Sequence, residues 1–185
     1  MNYIKEIVKE AYKENRVICI CLKRIDWDKR LIGFIRNNFS DEHIKLEILN
    51  EYGEPKNIKD IPLSKIRSLE YGGVYNDNLE ILYKGKFKSN RSKAKYIIWN
   101  RKEDLTAILK KLLKNEVLCT FYFNDYYSIG IIAKEVTDQL FINNKGYDGV
   151  NDGVSGYDIN KLTKIRYNSP FELRIEFLLK NKSAS

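Results

Sequence analysis

Two stretches of the chain, about a hundred residues apart, carry the same order of hydrophobic and polar positions. The apolar residues that recur in segments 4–14 and 105–114 are Ile4, Ile7, Val8 and Ala11, then Leu105, Ile108, Leu109 and Leu112. Each residue of the second set follows its counterpart by 101 positions. The i, i+3, i+4, i+7 spacing is typical of one face of an amphipathic helix. The pattern therefore predicts two equivalent helices.

Apolar runs that favour β-strands follow each predicted helix. Residues 17–22 match the run that begins at Val117, with Cys19 aligned to Cys119 at an offset of 100. Residues 32–35 then match residues 129–132, each with a glycine in second place. A glycine inside a strand permits the sharp coiling that small barrels need.

The match continues through the rest of each copy. Residues 44–48 alternate with period two, as a half-buried strand does, and residues 140–142 are a weaker counterpart. Turn-rich stretches at 51–60 and 145–156 lead to apolar segments at 63–66 and 159–162. The last matched pairs, which end about five strands in each copy, are Leu79 and Ile81 with Leu173 and Ile175.

Five blocks in the same order predict an internal duplication. The fold class is expected to be α+β and mostly β, with two similar units of one N-terminal helix and about five strongly bent antiparallel strands. The units are placed at 1–83 and 100–181, joined by a linker at 84–99 and followed by a tail at 182–185.

A helix followed by five bent strands, with a glycine in the second, resembles the Sm-like small barrel, a form of SH3-like barrel. The family's first motif expects hydrophobic residues two, eleven and thirteen positions after the glycine, with Asp at six and Asn at ten. Counted from Gly33, the residues that fit the apolar positions are Ile35, Ile44 and Leu46. Phe39 and His43 stand at the two polar positions. The resemblance therefore covers the fold pattern and omits the side chains that contact RNA.

The second copy departs further from that family. It keeps Gly130 and Ile132 but has Leu140 at the Asn position, and the Arg-Gly pair of the family's second motif has no counterpart in either copy. Uridine binding therefore does not carry over. The resemblance implies assembly through strand edges, so a homo-oligomer is one expected partner state.

Positive charge is concentrated in the middle of the chain. The chain has 33 Lys and Arg against 25 Asp and Glu, for a net charge of +8. Eleven basic and two acidic residues lie between 84 and 114, and the remainder is nearly neutral. Such a segment attracts phosphate backbones, anionic lipid or an acidic protein, or it is a solvated linker kept soluble by lysine.

Aromatic residues stand beside these lysines, and rings interleaved with cations are typical of single-strand binding surfaces. The predicted nucleic-acid-binding residues are Lys84, Lys86, Lys88, Arg91, Lys93, Lys95, Arg101, Lys102, Phe87 and Tyr96. Ile98 and Trp99 are expected to anchor the linker against a barrel. Tyr126 and Tyr127 are expected either to contact a ligand or to cap a barrel end.

Residue patterns for catalysis are scarce. There is one histidine, His43, and no G-x-S-x-G, H-E-x-x-H, phosphate-loop or dinucleotide pattern. The three cysteines lack C-x-x-C spacing and are expected to be buried. The run 146–156 is predicted to be a hairpin or long loop, with ion binding through acidic residues as the minor alternative: Asp148, Asp152 and Asp158. The sequence predicts no enzyme, no cofactor and no metal.

Two functions fit these observations. One is a non-enzymatic protein that binds nucleic acid, RNA or single strands, through the central basic segment. The other is an inhibitor, immunity or regulatory accessory protein of bacterial or phage type that captures a partner protein through barrel edges and loops. The odd number of cysteines and the lack of a 20-residue apolar run predict a cytoplasmic protein with no membrane partner.

Overall fold

The computed structural model describes residues 2–23, 30–36, 42–91, 93–136 and 138–182. The chain divides into two compact units, Met1–Lys88 and Ser89–Ser185. The boundary falls inside the predicted linker, so that residues 84–88 belong to the first unit and residues 89–99 to the second.

The first unit contains one antiparallel sheet and two helices. Its elements are α1 (Asn2–Lys13), β1 (Val17–Leu22), β2 (Arg30–Arg36), β3 (His43–Leu49), β4 (Pro55–Pro62), a 3₁₀ turn (Leu63–Lys65), β5 (Ile66–Tyr71) and α2 (Val74–Lys84). The strand order is β4-β3-β2-β1-β5. Val8 and Ala11 of α1 pack into a core with inward residues of the sheet such as Ile20. The predicted amphipathic first helix is confirmed.

The second unit repeats this plan with one additional strand. Its elements are a 3₁₀ turn (Ser89–Arg91), β6 (Lys95–Ile97), α3 (Lys102–Lys114), β7 (Cys119–Phe123), β8 (Tyr127–Val136), β9 (Gln139–Lys145), β10 (Asn151–Asp158), a 3₁₀ turn (Ile159–Lys161), β11 (Leu162–Tyr167) and α4 (Pro170–Lys182). The order is β10-β9-β8-β7-β11-β6. Leu105 and Leu109 of α3 pack with Phe121 and other inward residues of the sheet.

The two strand glycines occupy equivalent positions. Gly33 pairs with Ile18 and Ile48, and Gly130 pairs with Cys119 and Asn144. A Cβ on either glycine would overlap a carbonyl oxygen of the neighbouring strand. Both glycines are therefore required for close approach of the strands.

This pairing corrects the alignment of the cysteines. Cys119 takes the place of Ile18, since both residues pair with the strand glycine and with a tyrosine of the last strand, Tyr167 or Tyr71. The offset of 101 found for the helices thus continues through the first strand. From the third strand onward the offset is 96, as in the equivalent 3₁₀ turns.

The last parts of each copy differ in part from prediction. The stretches 51–60 and 145–156, predicted to be turn-rich, contain most of strands β4 and β10. The hairpin that was one of the two alternatives for residues 146–156 is confirmed, because β9 and β10 pair antiparallel across this run. The two final predicted strands are instead parts of helices α2 and α4. Strand β4 is exposed over its first six residues, so its sequence has no apolar alternation. The strand was predicted from Leu79 and Ile81, but the residues that α2 buries are Leu79 and Leu82, whose separation of three positions fits a helix.

Both sheets are open. Among the described residues, β4 pairs only with β3, β5 only with β1, and β10 only with β9. The closed small barrels that were predicted are therefore not formed. The coarser prediction is confirmed, because the protein is α+β, mostly β, with two antiparallel sheets that each carry helices. In the described part of the chain, no helix is long and apolar enough to cross a bilayer.

The final helix of each unit is tied to the first strand by the same contact. The Val17 amide donates to Glu80 Oε1 at 2.8 Å, and the Leu118 amide donates to Glu176. Gly53 and Gly149, with φ of 72° and 79°, lie against equivalent leucines of these helices. The shared contacts are consistent with duplication of one ancestral unit.

Candidate nucleic-acid interface

Four of the predicted binding residues lie at the end of the first unit. Lys84 is in the last turn of α2 and forms an ion pair with Glu80 at 3.1 Å. Lys86 and Lys88 are exposed, while Phe87 is half-buried with its ring 6.4 Å from that of Tyr52. Phe87 therefore packs within the first unit.

The other six lie in the second unit. Arg91 belongs to the 3₁₀ turn, Arg101 is the exposed N-cap residue of α3 and Lys102 begins that helix. The side chains of Arg91 and Lys102 lie outside the described residues. Lys93 and Lys95 are exposed near β6. The predicted set is thus divided between the two units.

Strand β6 joins part of the basic segment to the second sheet. It pairs antiparallel with β11, and Tyr96 lies opposite Arg166. Since neighbouring residues of a strand face opposite sides, Ile97 packs against the core while Tyr96 points outward and is 55% exposed. Trp99 also packs against the core, as expected. Ile98 is 72% exposed, so the expectation that it anchors the segment is wrong.

The outer face of the second sheet carries rings and a cation in alternation. Lys164 Nζ lies 5.3 Å from the ring centroid of Tyr96 and 4.3 Å from that of Tyr122. The Tyr122 ring is in turn 6.1 Å from the ring of Tyr127, which is about half exposed. We call these four residues, Tyr96, Lys164, Tyr122 and Tyr127, the aromatic row.

Strand register explains the order of the row. Lys164 lies opposite Tyr122, and Tyr122 lies opposite Tyr127, so the side chains of β11, β7 and β8 meet on one face. The intervening residues Phe121 and Ile165 are fully buried on the other face. The core and the row are therefore the two faces of the same strands.

The aromatic row continues toward helix α4. The hydroxyls of Tyr127 and Tyr147 are in contact, and the ring of Tyr147 meets that of Phe171 edge-on at 5.5 Å. The guanidinium of Arg166 lies 5.7 Å from the Tyr122 centroid and 5.6 Å from the Phe171 centroid. Arg166 is therefore a second cation between two rings, next to the aromatic row.

A carboxylate that pairs with Arg166 is enclosed. Glu172 is fully buried and accepts from Thr120 Oγ1 at 2.5 Å and from Arg166 Nε at 2.8 Å, as well as from Ser169. Burial raises the pKa of Glu172, but the hydrogen bonds outweigh burial and the pKa is lowered from its ordinary value. The half-buried Lys164 therefore remains the charge within the row that is not neutralised by this carboxylate. Burial also raises the pKa of Tyr122, so its ring stays neutral.

Most of the row was missed in the sequence. Tyr96 and Tyr127 had been singled out, whereas Tyr122 and Lys164 had not. The signal was available in residues 120–123, where Thr and Tyr alternate with two phenylalanines. Such alternation places one set in the core and the other on the outer face. The position of Lys164 between two tyrosines depends on the pairing register of β11 with β6 and β7, which the sequence pattern does not give.

The polar residues considered for chemistry have local structural roles. Asp148 accepts from the Val150 amide at 3.1 Å, and Asp158 accepts from the Asn160 amide at 2.9 Å, so both stabilise turns. Burial raises the pKa of Cys19 to about 11 and that of Cys119 to about 12, which keeps both thiols protonated. Within the described ranges, no three His, Cys, Asp or Glu side chains are placed to hold a metal ion.

Comparisons with known proteins add no family to this description. A scan against protein-family models, a search of curated proteins and a search of solved structures each gave no match.

Proposed function

We propose that this protein is a non-enzymatic nucleic-acid-binding protein that holds RNA or single-stranded DNA on the aromatic row of its second unit. The observation that carries the proposal is the position of Lys164, whose ammonium lies between the rings of Tyr96 and Tyr122. Exposed rings provide surfaces on which bases stack, and a cation between them meets the phosphate that links two bases.

The row is an open surface on a sheet. A single strand can lie along it with unpaired bases against the rings, whereas the bases of a duplex are stacked on each other and cannot reach them. Binding is therefore expected to favour single strands over duplexes and to tolerate many sequences, because every base has a π-face.

Part of the predicted basic segment extends this surface. Lys95 lies 5.9 Å from the ring of Tyr167, and the backbone carbonyl of Lys93 accepts from Asn168 at 3.4 Å. Both lysines precede Tyr96 on the same short segment. Lys95 faces the other side of β6 from Tyr96, so these lysines add positive charge at the β6 edge of the sheet, beside the row. Of the ten residues predicted from sequence, Lys93, Lys95 and Tyr96 are the ones that this proposal retains.

The fold family and the cellular location of the protein are also proposals. We propose that each unit is an open relative of the Sm-like small barrel, since in each a helix is followed by five antiparallel strands with a glycine in the second. Small β units commonly host oligonucleotide recognition. The cysteines at 19, 21 and 119 are all free thiols, which supports a cytoplasmic location for the protein.

Fluorescence anisotropy with a labelled mixed-sequence 12-mer of RNA or DNA tests the proposal. We expect saturable binding at about 50 mM salt that weakens steeply by about 200 mM, because phosphate contacts release counterions. Tyr96→Ala combined with Tyr122→Ala should weaken binding about a hundredfold, since each stacked base contributes about 1–3 kcal/mol.

Matched controls keep this result specific to the row. Tyr3→Ala removes a tyrosine that is 71% exposed in the first unit, and Lys59→Gln removes an exposed lysine of β4. Both should bind as the parent protein does, whereas Lys164→Gln should bind more weakly. A flat anisotropy curve at low salt, or equal losses in the controls and in the row variants, would contradict the proposal.

A further inference from the structure

The outer edge of the last strand is paired with another strand in the second unit, but it has no such partner in the described part of the first unit. In the second unit the outer edge of β11 is paired with β6 through Ile97, Tyr96 and Lys95. In the first unit, β5 is the equivalent strand, and within the part of the chain that the structure describes it pairs only with β1. An uncovered edge presents backbone donors and acceptors that another strand can use.

The two edges also carry opposite charge. Glu70 of β5 stands where β11 has Arg166, because these residues pair with equivalent positions of the first strand, Cys19 and Thr120. Glu10 of α1 and Glu14, which follows that helix, stand where the second unit has Lys111 and Asn115, 101 positions later. All three glutamates are exposed.

The tyrosines at the two edges show the consequence of this reversal. Tyr167 of β11 has the ammonium of Lys95, from the covering strand, 5.9 Å from its ring. Its counterpart Tyr71 of β5 hydrogen-bonds Glu10, and that bond, with burial and the charges of Glu10 and Glu14, raises the pKa of Tyr71. In the first unit, carboxylates thus lie at the position that Lys95 of β6 occupies in the second unit.

We propose that the β5 edge of the first unit binds an extended, basic segment of a partner protein as an added antiparallel strand. Backbone hydrogen bonds to β5 would provide the affinity, as in other cases of strand addition. Lysine or arginine side chains of the segment would lie beside Tyr71, Glu10 and Glu70, which selects a basic partner.

The cations already on this edge do not prevent such binding. Arg30 pairs with Glu70 at 3.2 Å, and both side chains are more than half exposed. Exposed pairs of this kind are weak and are readily exchanged for another cation. Nucleic acid is disfavoured here, because three exposed carboxylates repel phosphate.

The covering strand of the second unit supplies a probe of the right chemistry. A synthetic peptide with the sequence of residues 93–99, Lys-Ala-Lys-Tyr-Ile-Ile-Trp, contains β6 and two lysines. Titrated into the ¹⁵N-labelled full chain, it should shift the amide signals of β5 most strongly. A peptide with both lysines replaced by glutamate should bind at least tenfold more weakly.

Variants of the chain distinguish charge-selective peptide binding from nonspecific binding. Glu10→Lys with Glu70→Lys should weaken peptide binding at least tenfold, whereas Glu51→Lys, at an exposed position between β3 and β4, should leave it unchanged. Tyr122→Ala should also leave it unchanged, which makes failure here distinguishable from failure of the nucleic-acid proposal. Unfolded variants are recognised by their amide spectra and are replaced by Glu10→Gln with Glu70→Gln.

Several outcomes would overturn the proposal. They are no shifts at millimolar peptide, shifts confined to β11 through exchange with its own β6, and binding that ignores the charge of the peptide or of the edge. Concentration-dependent dimerisation of the free protein that is lost in Glu70→Lys would also overturn it, because a second copy of the chain would then be the occupant.

Discussion

The two units share a framework and differ in what they place on its outer face. Strand glycines, the contact between the final helix and the first strand, and the buried apolar positions recur in both units. On the outer face, Tyr122 and Lys164 of the second unit replace Cys21 and Ser68 of the first. Positions that fold the chain are shared by the two units, and both proposed binding surfaces lie at positions where the units differ.

The inner faces also differ at one end of the sheet. In the first unit Leu31, Ile48 and Ile61 pack into the apolar core. Their counterparts in the second unit are Ser128, Asn144 and Tyr157, which with Ser155 form a hydrogen-bonded network with distances of 2.7–3.4 Å. A fully paired network of this kind is stable, but it depends on every member.

The largest expected effect comes from removing a feature that both units share. Gly33→Ala should destabilise the first unit, and Gly130→Ala the second, by about 3 kcal/mol or more, because the added Cβ overlaps a strand carbonyl. Thermal unfolding followed by circular dichroism measures the loss. Gly73→Ala is the control: no atom lies near the added Cβ, so only its positive φ contributes and a smaller cost of about 1–3 kcal/mol is expected. Unequal losses at Gly33 and Gly130 would contradict their equivalence, and an equal loss at Gly73 would contradict overlap of the added Cβ as the cause.

A smaller effect is expected from breaking the polar network of the second unit. Asn144→Ile introduces the residue of the first unit and leaves Ser128 and Ser155 without their shared partner. The expected cost is about 1–3 kcal/mol of unfolding free energy, measured by urea titration. Ile48→Leu, a swap between two apolar residues at the equivalent position, should cost less. If Asn144→Ile were neutral, the network would contribute no stability.

Exchange of outer-face residues should alter binding by a similar free energy. Tyr122→Cys with Lys164→Ser gives the second unit the residues of the first, and we expect oligonucleotide affinity to fall at least tenfold, since a stacked base contributes about 1–3 kcal/mol. Both side chains are half-buried on the outer face, so the unfolding midpoint should fall modestly, and circular dichroism checks that the variant keeps its fold. Unchanged affinity would show that the aromatic row is not the binding surface.

The smallest expected effect is a dependence of the unfolding free energy on pH that arises from two carboxyls of α4. Burial raises the pKa of Glu176, so this group stabilises the fold as the pH falls through its raised pKa. Hydrogen bonds outweigh burial at Glu172 and lower its pKa, so its contribution is lost as the pH falls below the unfolded value. The contribution of the pair should therefore be greatest near the ordinary glutamate pKa, at about pH 4.5.

Variants separate the two carboxyls. Glu176→Gln should remove the gain in stability on mild acidification, and Glu172→Gln should reduce the loss at lower pH. Urea titrations at a series of pH values measure both slopes. A profile that Glu176→Gln leaves unchanged would contradict the raised pKa.

The sequence predicted those features that periodicity encodes. Amphipathic spacing located α1 and α3, and apolar runs located the first three strands of each unit. Edge strands β4 and β10 could not be found in this way, because a strand exposed on both faces has no alternation to detect. Helices α2 and α4 were taken for strands, since only two apolar residues of each had been aligned.

The candidate site was predicted only in part for a related reason. Tyr96 was recognised from its neighbouring lysines, which are close in sequence. Lys164 and Tyr122 join it through the pairing of β6 with β11 and of β11 with β7, contacts between residues far apart in the chain. Residue spacing alone does not specify such register. Phe87, which was predicted to bind nucleic acid as Tyr96 was, instead packs on Tyr52 in the first unit.

The position of β6 ahead of α3 determines how the chain can be divided. A fragment that began at Asn100, the start suggested by the repeat, would lose β6, leave the backbone edge of β11 bare and remove Tyr96 from its place beside Lys164. Such a fragment should aggregate through that edge. A fragment that begins at Ser89 keeps β6, so the second unit stays whole in it.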